Sequence, residues 1–156
     1  METKITSQYL TKEQMVLVED FVDYCVRRFR LQRFTMARIR ISICQKVEAD
    51  DEGNCVYESK SSLCNEVKIK VRHTKNMKKI LTVLGHEMVH AKQYLTGQLD
   101  FINNKAHWRG LDVDALDYRD QPHEVEAFGL EDKILNDFYK SRKRHQNKPK
   151  ITITNQ

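Results

Sequence analysis

Residues 76–97 read NMKKILTVLGHEMVHAKQYLTG, and the reading of this stretch decides the fold. Met77, Leu81, Leu84, Met88, Ala91 and Leu95 recur at three- and four-residue spacing, which predicts one helix over 76–96. Gly97 follows the last periodic residue, the position at which a glycine commonly ends a helix. On a wheel of ~100° per residue the six apolar residues fill one arc. His86 and His90 fall almost opposite it, about 40° apart, so they are not core residues. Two readings remain: a pair of exposed histidines, or two ligands of one ion. Histidines at i and i+4 project from one face, near enough for both imidazoles to bind the same metal. Glu87, directly after the first, points beside such an ion, where it can hold a water and take its proton. A chain of this His and Glu content meets H-E-x-x-H by chance at roughly the 1–2% level, so the reading needs a third ligand.

His107, His123 and the pair Glu124/Glu126 lie downstream. Pro122 suits a first helical position, and the pattern behind it predicts a last helix to about residue 143. Ala127, Phe128, Ile134, Leu135, Phe138 and Tyr139 define its apolar arc; Glu124 lies in the middle of that arc and Glu126 opposite. A carboxylate is costly to bury unless it is paired or bound to a cation. Glu124 is therefore the favoured ligand, and Ala127 one turn on leaves room for the histidine helix. The plainer alternative is an acid that merely favours a helix N-terminus. Glu131 also faces inward, and needs either an arginine or a hydrogen bond to a ligand histidine.

Upstream, Thr11 and Gln14 form a capping-box pattern that opens a helix over about 12–32. Alternation predicts strands at 38–44 and 66–72, with a shorter one at 55–59 after the acidic turn EADDEGN. These make a small sheet with one wet face. A polar stretch with Gly110 follows the histidine helix, and Trp108 in it reads as a core or hairpin anchor.

At 156 residues with 40% apolar content, the chain is expected to build one domain over 1–139, followed by a basic tail over 140–156. No run reaches the ~18 apolar residues of a membrane span, and METKITSQYL lacks a signal-peptide pattern, so a cytoplasmic protein is expected. None of the four cysteines forms C-x-x-C, which favours reduced thiols. The net charge of +5 resides in the tail: residues 140–150 hold six of the 27 Lys and Arg and no acid, leaving 21 basic against 22 acidic residues. A second cluster, Arg27, Arg28, Arg30, Arg33, Arg38 and Arg40, has no acid between Tyr24 and Val47. Both clusters read either as solvated surface or as contacts for nucleic acid.

HEMVHAKQYLTGQL, then WRG, Tyr118 and PHEVEAF, resemble the gluzincin side of the zincin metallopeptidases, most closely the short minigluzincin or SprT-like domains found in phage genomes. The likeness covers about 80–130. It implies an α+β domain with an N-terminal helix, a small twisted sheet, the H-E-x-x-H helix and a C-terminal helix bringing the third ligand. It implies a zinc endopeptidase with one Zn2+ on His86, His90 and Glu124 and with Glu87 as general base. Substrate peptide would lie along the sheet's edge strand, here 66–72. Tyr118 or His123, the latter where many relatives have tryptophan, would donate to the oxyanion. If phage-encoded, the chain would work in the host cytoplasm. Two alternatives accompany this. One is an SprT-like protease acting on DNA-bound proteins, with His107 as third ligand. The other is a non-catalytic module binding nucleic acid through its tail.

Overall fold

The computed structural model describes residues 1–61 and 64–146. Seven strands and three helices run in the order β1 (Glu2–Thr6), α1 (Lys12–Arg28), β2 (Arg38–Cys44), β3 (Gly53–Ser61), β4 (Cys64–Arg72), α2 (Met77–Leu95), β5 (Leu99–Ile102), β6 (Lys105–Trp108), β7 (Leu111–Asp112) and α3 (Pro122–Gln146). The class is α+β, as the sequence indicates. A four-stranded mixed sheet has the order β1-β2-β4-β3, and a small antiparallel sheet has the order β5-β6-β7.

The predicted capping box opens α1: Gln14 N–H donates to Thr11 Oγ1 at 3.2 Å, and Thr11 N–H donates to Gln14 Oε1 at 3.0 Å. The helix stops at Arg28, short of residue 32, because Arg30 turns to a left-handed φ of 55°. Asn76 caps α2, its Oδ1 accepting from Lys79 N–H at 3.3 Å. Gly97 closes α2 at φ 72°: its N–H donates to the Tyr94 carbonyl at 3.0 Å, while Gln98 N–H reaches the Gln93 carbonyl at 2.8 Å. That pair of bonds is a Schellman motif, and the left-handed φ is why glycine stands there.

Burial alternates along β2, with Ile39, Ile41 and Ile43 inward, as it does for Val67, Ile69 and Val71 of β4. Val18, Phe21, Val22 and Cys25 of α1 and Ile134, Leu135 and Phe138 of α3 join them in one core around α2. α2 packs on β3 and β4 on one side and on α3 on another, so both its faces are covered. The histidine face is therefore inside the molecule rather than on solvent.

The edge-strand expectation needs correction. β4, the 64–72 strand, is interior: β2 pairs parallel to one side and β3 antiparallel to the other. The edge beside α2 is β3, from Gly53 to Ser61. The more apolar strand takes the middle and the more polar GNCVYESKS takes the edge. β1 was not foreseen; ETKIT carries one apolar residue and gains its ladder from parallel pairing with β2. The polar stretch after α2 is likewise a sheet. Asn103 and Asn104, both at positive φ, form the two-residue turn between β5 and β6, and Arg109 and Gly110 repeat that conformation before β7. Trp108 stands at the end of that hairpin opposite Leu99. α3 continues through the proposed boundary at 139 and carries Lys140, Arg142, Lys143 and Arg144; residues 147–156 lie outside the described residues.

Candidate metal centre

His86 and His90 occupy successive turns of α2, each 7% exposed, with ring centroids 4.8 Å apart. Glu124, 5% exposed, enters from the first turn of α3. Ala127 is fully buried one turn later, and its small side chain suits the close approach of the two helices. His86 Nε2 lies 3.1 Å from Glu124 Oε2, His90 Nε2 lies 3.4 Å from Glu124 Oε1, and the two Nε2 atoms are 3.1 Å apart. Among the described residues, these three form a group whose ligand atoms all lie within 4.8 Å of one another, placed to hold a metal ion.

The outer hydrogen bonds set the tautomers. Gln93, fully buried, donates from Nε2 to the His123 carbonyl at 3.0 Å, so its Oε1 is the acceptor facing His90. His90 Nδ1–H therefore donates to Gln93 Oε1 at 2.8 Å. His86 Nδ1–H donates to Glu131 Oε2 at 2.9 Å, which settles the two alternatives for Glu131 in favour of a histidine partner. Both Nε2 atoms then present lone pairs to one another and to a carboxylate. Three acceptors facing one point require a cation there, either a proton or a metal. Two ligands about 2.1 Å from one tetrahedral ion sit roughly 3.4 Å apart, close to the separations observed. The donor set fits a divalent ion that accepts nitrogen and oxygen.

The electrostatics agree. Burial alone would raise the Glu124 carboxyl, but the two imidazoles beside it outweigh that and hold the group well below the usual carboxylate range. Burial disfavours the charged form of His86; Glu124, Glu87 and Glu131 reverse that and push its pKa up. Without a metal, a proton occupies the same focus.

Glu87 lies beside the group. Burial raises its carboxyl to about 7, with the two imidazoles partly offsetting that rise. Gly53, at the start of β3, runs against it: a Cβ there would come 2.6 Å from Glu87 Oε1 and 2.6 Å from Val83 Cγ1. The backbone of the edge strand thus touches the Glu87 carboxylate, an approach that glycine permits.

Tyr118 precedes α3 on a short 3-10 turn, 58% exposed at the mouth of the site. Burial of part of its ring raises its phenol, and the Glu124 carboxylate nearby raises it further. His123 is buried, with Nε2 3.7 Å from Glu124 Oε1; burial holds it neutral, assisted by the two other imidazoles against the pull of Glu124. His107 is not drawn into the group; its Nδ1–H donates to the Lys105 carbonyl at 2.9 Å within β6. Glu126 turns away to pair with Lys92. Gln93 escaped sequence reasoning, although its spacing, one turn after His90 on the same face, was a usable signal. A cavity of about 470 Å³ reaches Glu87 and His86 from one side, and one of about 180 Å³ reaches Glu87, His90 and Glu124 from the other.

No family model matches this chain, and neither a curated protein nor a solved structure gives a significant match. The reading of the site therefore rests on its own geometry. Among the described residues no helix is long and apolar enough to cross a membrane. Cys25, Cys44 and Cys55 are free thiols.

Proposed function

We propose that the chain is a zinc-dependent endopeptidase of the H-E-x-x-H type, with the zincin-like arrangement of a gluzincin. The observation that carries the reading is the buried convergence of His86, His90 and Glu124 with a second carboxylate, Glu87, beside it and free of the donor set. Two imidazoles and one carboxylate are the kind of ligand set that catalytic rather than structural zinc sites use. Bound there, zinc would supply a Lewis acid that polarises a carbonyl and brings the pKa of water toward ~7.

The remaining chemistry belongs to the chain. The Glu87 carboxylate takes a proton from the attacking water and later gives it to the departing amine nitrogen. Its place beside the donor set, on the walls of both cavities, suits the carboxylate to both roles. Of the two oxyanion-donor candidates, Tyr118 is the better placed, since it lines both cavities that reach Glu87. Glu131 and Gln93 hold the imidazoles in the tautomer that leaves both Nε2 atoms free for metal.

Glu87→Gln tests this scheme. The variant should keep its zinc, measured by mass spectrometry of the metal, and lose at least about a hundredfold in cleavage of an unfolded protein substrate. Full cleavage by a clean Glu87→Gln preparation would refute the mechanism.

A further inference from the structure

The cleft does not end at the metal group. The cavity of about 180 Å³ beside His90 continues into a hollow of about 280 Å³, the two sharing Cys55, Tyr94 and Phe101 as walls. Tyr94 stands one turn beyond His90 on α2. Its ring stacks on Tyr57 of β3 with centroids 5.4 Å apart and planes 9° apart. Phe101 of β5 closes the other side, 6.3 Å from Tyr94. Phe101 is 51% exposed, so large apolar surface faces a concavity. Asp100 is the one charged residue lining it. Along its outer side β3 has no strand neighbour among the described residues.

We infer that this hollow is a side-chain subsite of the peptide cleft, taking an aromatic or large aliphatic residue on the N-terminal side of the scissile bond. The inference rests on the peptidase reading and adds the substrate class. Continuity with the metal group argues for a substrate side chain as the occupant, since a chain held at Glu87 must pass the hollow. Direction follows from the edge strand. β3 runs from Gly53, against Glu87, to Tyr57, beside the hollow. An added chain pairs better antiparallel than parallel, and then its residues ahead of the bond lie over Cys55–Tyr57. Two to four residues of strand span roughly 7–13 Å, so the apolar residue falls within about four positions before the bond.

Binding and cleavage test separate parts of this. Full-length, zinc-loaded Glu87→Gln is titrated by fluorescence anisotropy with peptides differing only in Phe, Leu or Ala at each of the four positions before the expected bond. One position should favour Phe or Leu over Ala by about tenfold or more. Phe101→Ser, at an exposed residue, should cut that discrimination below about twofold with zinc content and melting temperature unchanged. Equal binding of the Phe and Ala peptides, or full discrimination retained in Phe101→Ser, overturns the subsite. In wild-type digests of a random peptide mixture, apolar residues should be enriched before the cut; enrichment only after it, or none, overturns the subsite and leaves the peptidase reading standing. Zinc-loaded wild type that cuts nothing overturns the peptidase reading, and the binding series then decides the subsite alone.

Discussion

Two regions of this molecule are rich in charge, and they are built in opposite ways. At the junction of α2 and α3, two histidines and three glutamates (Glu87, Glu124 and Glu131) crowd together, four of the five buried, and their acceptors outnumber their donors. Around α1, β2 and the end of α3, arginines stand on the surface with acids beside them. Arg28 pairs with Asp137 at 3.0 Å, Arg38 with Glu2 at 3.2 Å, Arg142 with Asp20 at 3.3 Å, and Arg40 with Glu66. The two kinds of charge differ in what they signal. A surface arginine beside an acid is at ease as it stands, and a run of such residues says little about a partner. A buried set of lone pairs with no matching donor is stable only with a cation at its centre, and so it points to one. Of the cluster read from the sequence as solvated surface or as a contact for nucleic acid, Arg28, Arg38 and Arg40 have acids beside them.

The contrast can be broken by substitution. In the buried region, Gln93→Ala and Glu131→Ala each remove the acceptor that orients a ligand imidazole. Each should weaken metal binding by roughly 10–100-fold, read by competition with a fluorescent chelator, while circular dichroism stays unchanged. An unchanged affinity in both would mean that the outer bonds do not set the donor geometry. Gly53→Ala acts on the same region from the edge strand. Its new methyl displaces the Glu87 carboxylate, so turnover should fall severalfold while zinc is retained and stability drops by only about 1 kcal/mol in denaturant titration. Wild-type turnover there would show that the contact between β3 and Glu87 does not matter to the reaction. On the surface, Arg28→Ala and Arg38→Ala should each change stability by less than about 1 kcal/mol and leave metal affinity alone. A larger loss would mean that these pairs are structural in a way their exposure does not suggest.

Much of this was legible in the sequence because it is local. The i, i+4 histidines, the apolar arc of α2, the Thr11 capping box and Gly97 all act within two turns of chain. Glu124 was legible for a related reason: a carboxylate in the middle of an apolar helical arc needs a cation, wherever that cation comes from. What was not legible depends on pairing between distant segments. Val67, Ile69 and Val71 alternate in the same way whether their strand lies at an edge or in the middle, so the pattern could not rank β3 and β4. β1 has a single apolar residue, Ile5, and is a strand because β2 lies beside it. The β5–β6 hairpin did carry a local signal, the Asn103-Asn104 turn between alternating residues, but its strands are only four residues long. Gln93 was missed because an amide on a helix announces no chemistry until the ring it holds is in view.

The central claim is that Glu124 and the two imidazoles share one ion. Metal content by mass spectrometry, on purified wild type, Glu124→Ala and His107→Ala, tests it most directly. Zinc should be present at one per chain in wild type and in His107→Ala and be lost from Glu124→Ala. Zinc kept by Glu124→Ala but lost from His107→Ala would move the third ligand to the hairpin and rule out Glu124.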